Sequence, residues 1–589
     1  MAENRFLTID NTSFPYIFIK NVDIPLKTYE TGVIRCNVYL PKDAAPFGSK
    51  KYPVIATYGP YGKDVPYESF HKKSWEQVNP EMKSAHSSWE TPDPGFWTKN
   101  GYIIVRADER GAGQSPGILD TMSRGTSEAF FDVVEWSSEQ EWSTGRVGLL
   151  GISYYAGTQW RVAARKPKGL SAIIPWEGMS DYYRDRVRHG GILSDQFISF
   201  WWNNGVQPNQ YGTPGRATRK WGEDTLEGDL TDETLLSNRR NQMIDTATHK
   251  FRDEEYYRTR DFKLEDIETP LLSVANWGGI LLHLRGNVIG WIRARSQYKF
   301  LHFIVGRHDL PFYYHESALL QLSFLDTFLK DNDRDGWKVG KQPRVKLCLR
   351  KGEAGVDDPE RERSFPQREE TDWPIPRTQY TKFFLTADRK LAEAPSEAQA
   401  SFSYDALKGK PITFAYTTPT ALEITGHIVA RLTVAASRKQ ADAPGPSDID
   451  LFVTLRKLNT SGAEVFYTGT MGDPVPVVKG WLRVSLRSVD TSHPFHRDYL
   501  PHRNYFSNEI LPVVETQKYE VDIEVWPTNV ILEPGETLVL EIAGHDTQGV
   551  GKFSHEHPED RKAEVFVGIN IVYVGGYASW LTLPVISPK

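Results

Sequence analysis

The sequence predicts an α/β chain: a doubly wound, mostly parallel sheet, interrupted by a helical cap and followed by an all-β jelly-roll domain. Short apolar runs alternate with helical stretches over the first 180 residues, the rhythm of βαβ units. A polar segment rich in Trp, Arg and Asn breaks that rhythm before two more buried-strand runs resume it. Past Gly340 the pattern changes to alternating strands punctuated by Gly, Pro and Asp turns.

Strands are expected at 33–40, 52–58, 102–107, 147–150 and 170–175, each apolar or β-branched and ending in Gly, Pro or a polar turn. A helix over 127–139 lies between the later ones. Residues 181–266 read as helices and loops inserted between two strands, a construction that builds caps over active sites. Strands at 270–275 and 300–305 and a helix over 316–330 follow. The expected division is 1–180 and 267–340 for the sheet domain, 181–266 for the cap and 341–589 for the β domain, with a charged, proline-bearing connector over 353–376. At 589 residues the chain exceeds a single core, so length alone requires several domains.

Composition narrows the function classes. The formal net charge of −6 gives no reason to expect nucleic-acid or anionic-membrane binding. No apolar run approaches the length of a bilayer span. Cys36 and Cys348 are the only cysteines, which argues against a disulfide framework or thiolate metal site and fits a reducing compartment. The first twenty residues lack a basic stretch followed by an apolar one, so cytoplasm is the expected location. His555-Glu556-His557 and Asp448-Ile449-Asp450 look like metal fragments, but neither has the further ligands that zinc or calcium requires. No metal and no cofactor is expected.

Gly151-Ile152-Ser153-Tyr154-Tyr155 stands where a strand gives way to a helical segment (158–165), the context that lifts a serine out of the backbone as a nucleophile. A hydroxyl is a weak nucleophile at its free pKa and needs a base and oxyanion donors. The strict elbow wants glycine two residues after the serine; here that position is Tyr155. His308, on the loop after the last expected strand and later in the chain than the serine, is the expected base. His302, inside that strand, and His315, beyond the loop, are expected to be packing or surface residues. The Tyr154 backbone N–H is one oxyanion donor, and the loop Tyr58-Gly59-Pro60-Tyr61-Gly62-Lys63 is placed to supply the other. Asp108 and Arg110 read as structural, locking the loop around the elbow. Trp201, Trp202 and His189 in the cap are candidate pocket walls by position.

The elbow and Pro60-Tyr61-Gly62-Lys63, together with Asp108-Glu109-Arg110-Gly111-Ala112-Gly113-Gln114-Ser115, Pro175-Trp176-Glu177-Gly178, Ala275-Asn276-Trp277-Gly278-Gly279 and Val521-Asp522-Ile523-Glu524-Val525-Trp526-Pro527-Thr528, resemble the CocE/NonD group of hydrolases, the cocaine-esterase and X-Pro dipeptidyl-peptidase S15-like family. The resemblance runs through nearly the whole chain in order. It implies an α/β-hydrolase domain, a helical cap and a jelly-roll domain, and it implies that the Tyr61 phenol is the second oxyanion donor. At the acid the chain departs from the family. Characterised relatives carry an aspartate after the strand that here runs into Asn276-Trp277-Gly278-Gly279; the matching positions are glycines, and no carboxylate occurs between Asn276 and Tyr298. Glu177, after the strand that follows the nucleophile helix, is the tentative replacement and Asp181 the second choice. A salt bridge to Arg184, Arg186 or Arg188 is the structural alternative for either, and a triad without a conventional acid is the third option.

The expectation is a serine hydrolase that cleaves an ester or amide of a small or medium organic substrate through an acyl-enzyme on Ser153. Three alternatives stay open. One is an acyltransferase using the same acyl-enzyme. The second is an X-Pro-type aminopeptidase, which needs a cap carboxylate such as Asp181, Asp185 or Asp195 for the substrate ammonium. The third is a hydrolase fold kept for binding or non-hydrolytic chemistry. The β domain is expected to complete the pocket wall and an oligomer interface, with a homodimer as the assembly in view.

Overall fold

The computed structural model describes residues 6–28 and 31–587. Eleven strands form one sheet: β1 (Thr8–Asp10), β2 (Ile17–Pro25), β3 (Val33–Leu40), β4 (Tyr52–Gly59), β5 (Ile103–Asp108), β6 (Ser143–Ile152), β7 (Leu170–Trp176), β8 (Leu271–Asn276), β9 (Lys299–Ile304), β10 (Val345–Cys348) and β11 (Gln367–Glu370). Their spatial order is β1-β2-β3-β5-β4-β6-β7-β8-β9-β10-β11. From β5 across to β10 every neighbouring pair is parallel, while β1 to β3 and β11 join antiparallel at the two edges. Central parallel strands must be covered on both faces, and every residue of β5 and β8 is buried.

The helices that matter to the site are α1 (Pro94–Lys99), α2 (Arg124–Glu139), α3 (Tyr154–Ala163), α4 (Asp195–Trp201), α5 (Leu284–Arg293) and α6 (His315–Leu329). Ser123 starts α2 by accepting the Thr126 N–H at 3.3 Å, and the helix buries Phe130, Val133 and Val134 in the core that backs β4 and β6. Each such side chain is worth about 1.5–3 kcal/mol of burial. A charge at Val133 would break that face.

The sheet extends further along the chain than the sequence suggests. Strands β10 and β11 fall beyond residue 340, inside the span expected for the β domain and its connector. Gln367-Arg368-Glu369-Glu370 is a charged edge strand, protected against further pairing by that charge, and so carries no apolar run to announce it.

Residues 181–266 hold short helices, π-helical turns at Tyr182–Val187 and Trp202–Val206, and a two-residue hairpin pairing Arg188–His189 with Ile192–Leu193. Beyond them, a twelve-stranded sheet with antiparallel pairing throughout its ladders forms the C-terminal domain. Strands Leu422–Ser437 and Tyr519–Leu532 pair along most of their length, and an isolated bridge between Lys390 and Ala415 links the two ends into a nearly closed sandwich. Among the described residues no helix is long and apolar enough to cross a membrane.

Candidate active site

Ser153 links β6 to α3 at φ 58° and ψ −113°, a conformation costly for any residue but glycine. Neighbouring backbone holds it there. The Ser153 N–H donates to the Trp176 carbonyl (3.1 Å), and the Ser153 carbonyl accepts from Gly157 (2.9 Å). Tyr155 stands where the strict elbow has glycine, and glycines elsewhere make room for it. A Cβ on Gly59 would lie 2.6 Å from the Tyr155 ring, and one on Gly151 would lie 2.6 Å from the Tyr155 Cβ. The small residues that an elbow needs are redistributed rather than absent.

Tyr154 is the first residue of α3, so its N–H has no acceptor within the helix. Its side chain is anchored away from that N–H: the hydroxyl donates to Glu109 (2.8 Å) and accepts from the Met122 N–H (2.9 Å). Tyr61 follows β4 and packs against Trp89, Tyr154, Tyr155 and Trp201. Its hydroxyl accepts from Trp201 Nε1 at 2.8 Å, which leaves the phenolic proton to be donated. Burial, reinforced by the Glu90 charge, pushes the Tyr61 pKa well up, so that proton stays in place. The loop carrying Tyr61 is fixed by Asp108, whose carboxylate accepts the Lys63 N–H (2.5 Å) and the Gln114 N–H (2.8 Å).

Two histidines lie near the elbow. Ser153 Oγ lies 3.2 Å from Nε2 of His283, not from His308. His283 sits on the loop after β8, at the start of α5, with its Nδ1 buried and unpartnered. Burial, helped by the charges of His308 and Arg186, holds its pKa well below the usual imidazole range, so the ring is neutral. His308, on the loop after β9, is bound at both nitrogens: Nε2 is 2.7 Å from Glu90 Oε1, and Nδ1 is 2.9 Å from the Thr470 carbonyl. Burial alone would lower its pKa, but the Glu90 hydrogen bond and charge, with Asp309 and Glu177, push it up to about 9. Both rings therefore differ in charge although their centroids are 6.3 Å apart.

Glu90, the carboxylate that reaches His308, was not anticipated. It is fully buried between β4 and α1 at φ 62°, and its carbonyl accepts the Ile152 N–H (3.1 Å) beside the elbow. Burial raises its pKa to about 7, against the pull of His308. Glu177, the tentative acid, makes no hydrogen bond to His308. Its Oε1 instead accepts from Asn276 Nδ2 (3.1 Å), and Asn276 also donates to the Gly306 carbonyl (2.6 Å), standing between the two strand ends. Burial raises the Glu177 pKa to about 8, so this carboxyl is protonated at neutral pH.

The remaining sequence candidates have other occupations. Asp181 takes the Arg184 N–H (2.9 Å) and pairs with its guanidinium, which is the structural alternative for that residue. Trp201 does reach the site, through Tyr61, while Trp202 is wholly buried in the core. His189 lies at the seam with the β domain, 2.9 Å from His555 and packed on Trp481. His302 is buried beside Trp337, and His315 is exposed and pairs with Glu81. Asp450 is committed to Arg483 and Arg561, and His555 to Asp546. No group of three metal-ligating side chains that could hold an ion occurs among the described residues.

A strained serine beside a neutral histidine, with a phenol and a helix N-terminus close by at the ends of parallel strands, fits a serine hydrolase of the α/β-hydrolase class. Comparison with known proteins narrows the class. Residues 32–308 match the X-Pro dipeptidyl-peptidase (S15 family) model, and residues 337–582 match that of the X-Pro dipeptidyl-peptidase C-terminal non-catalytic domain. A crystal structure of a CocE/NonD family hydrolase from Staphylococcus aureus superposes with a TM-score of 0.81 and 27% identity, covering 98% of this chain and 96% of that one. Cocaine esterase from Rhodococcus sp. (strain MB1 Bresler) is 26% identical over 339 residues, 52% of this chain; the chain spans 56% of that esterase's length. An aminopeptidase from a marine-sediment Thaumarchaeota archaeon shares the fold at a TM-score of 0.66 and 15% identity, covering 100% and 99% of the two chains. The chain belongs to the CocE/NonD-type S15 family.

Proposed function

We propose that this protein cleaves an ester or amide of a small organic substrate through an acyl-enzyme on Ser153. The observation that carries the proposal is the 3.2 Å contact between Ser153 Oγ and His283 Nε2 inside the strained elbow. Neutral His283 accepts the serine proton as Oγ attacks the carbonyl. The tetrahedral oxyanion is held by the Tyr61 hydroxyl and the Tyr154 N–H. His283 then returns its proton to the leaving group, and water repeats the sequence to release the acid. Cationic His308 stands beside this dyad and disfavours a second positive charge, which makes the His283 imidazolium a ready proton donor.

A second reading gives the base role to His308, with Glu90 as its acid. The Glu90 carboxylate at 2.7 Å favours it, because His283 has no such partner at Nδ1. It requires the His308 ring to leave its present contacts and swing toward Ser153. The aminopeptidase alternative gains nothing from the cap: Asp181 pairs with Arg184, Asp185 with Arg285, and Asp195 accepts the Glu556 and His557 N–H groups. Similarity to the cocaine esterase supports esters as the first class to assay. Buried free thiols at Cys36 and Cys348 go with a cytoplasmic setting.

The test is labelling by a fluorophosphonate probe, followed by assay of p-nitrophenyl esters. The wild type is expected to label and Ser153→Ala to lose the label completely. A wild type that neither labels nor releases p-nitrophenol would overturn the proposal.

A further inference from the structure

Three arginines alternate along the first cap turn, and two of them are neutralised. Arg184 pairs with Asp181 and Arg188 with Asp560. Arg186 lies between them, 3% exposed, with no carboxylate partner among the described residues. Its protein hydrogen bond runs from Nη2 to Gln242 Oε1 (3.0 Å), and its Nε is buried without a partner. A guanidinium has five N–H donors and keeps its charge at any ordinary pH. Burying that charge without a counter-ion is costly, so a site that does so is poised for an anion.

The position of Arg186 says where that anion would come from. Its Cζ lies 4.2 Å above the Trp201 ring, and Trp201 Nε1 is hydrogen bonded to the Tyr61 hydroxyl at 2.8 Å. One indole therefore separates the unpaired cation from an oxyanion donor. Its charge is felt at the Tyr61 phenol and at the His283 ring, the two groups that flank the reacting carbonyl. Resting on the serine-hydrolase reading above, we propose that Arg186 receives a carboxylate of the substrate, so that the favoured substrates are esters or amides bearing an anionic group close to the scissile carbonyl. The fork geometry of arginine suits a carboxylate through two parallel hydrogen bonds.

The experiment compares a half-ester, mono-p-nitrophenyl glutarate, with its neutral counterpart p-nitrophenyl valerate. For the wild type the ratio of kcat/KM is expected to favour the half-ester by roughly 10- to 100-fold, the value of a charge-assisted pair. Arg186→Gln should collapse that ratio toward unity, mainly through KM, and Arg186→Lys should leave an intermediate ratio. A residue that only supports Trp201 would lower both rates together, and an unchanged ratio in Arg186→Gln would overturn the proposal. Binding is read separately with the uncleavable ketone 5-oxohexanoate against 2-hexanone. The acid should raise the melting temperature of the wild type but not of folded Arg186→Gln. That readout needs no turnover, so an enzyme that fails to hydrolyse either ester still tests Arg186. Equal stabilisation by the acid in wild type and variant would count against the site.

Discussion

The loops after β8 and β9 leave adjacent parallel strands at the same edge of the sheet, and each delivers a histidine to the elbow. They differ in charge and in hydrogen-bond partners. His283 touches the serine but is neutral and unsupported at Nδ1, whereas His308 has a carboxylate, a backbone carbonyl and a positive charge but no contact with the serine. In a conventional triad one imidazole combines contact with support. Here the two properties are divided between neighbours. Glu90, from the segment between β4 and α1, contacts His308 and not His283.

The sharpest way to break this comparison is to remove each ring in turn. His283→Ala is expected to lower kcat by roughly 10⁴-fold, the upper range for a proton-transfer group, and His308→Ala by clearly less. Steady-state kinetics on a p-nitrophenyl ester decides it, and the reverse ranking would hand the base role to His308 and Glu90. Next in size is the oxyanion donor both readings share. Tyr61→Phe removes the phenolic proton and should cost roughly 10²- to 10³-fold in kcat, with KM little moved. The smallest effect on turnover belongs to Glu177→Gln, which keeps the Asn276 contact and should change kcat only a few-fold.

The Glu177 variant should instead change how stability depends on pH. Its carboxyl is raised in the folded protein from 4.5 to about 8, so the folded state holds a proton that the unfolded chain releases. That contribution is fully present below about pH 4.5 and is lost as pH rises through 8, on the order of a few kcal/mol in all. Glu177→Gln should remove this slope, so that the variant melts above the wild type at pH 8 by calorimetry and converges with it near pH 5. Parallel melting curves across that window would show that Glu177 is charged in the folded protein.

The contrast between the two loops also explains what could be read from the chain. The elbow was legible because its chemistry is local: a strand, a glycine, a serine and a helix lie within twenty residues. His308 is expected on the loop after the strand at 300–305 by the same logic of strand ends, and it stands there, but the direction of its ring depends on Glu90, 218 residues away in sequence. No pattern near Trp89-Glu90-Thr91-Pro92 announces that contact. His283 lies between Asn276 and Tyr298, a stretch without a carboxylate, and no local motif distinguishes it from the other histidines of the chain. Glu177 stands at the right edge of the sheet, yet a single intervening amide, Asn276, takes the hydrogen bond expected for the imidazole. Fold class survives such exchanges because it rests on many apolar residues, while a site turns on one.

Thr470, whose carbonyl fixes His308, belongs to the C-terminal domain and lies 162 residues downstream of that ring. During synthesis the chain therefore carries its nucleophile and both histidines well before the group that orients one of them has been made. Fragments that end before residue 470 lack the carbonyl that fixes His308, whereas the contact between Ser153 and His283 is made by residues already present.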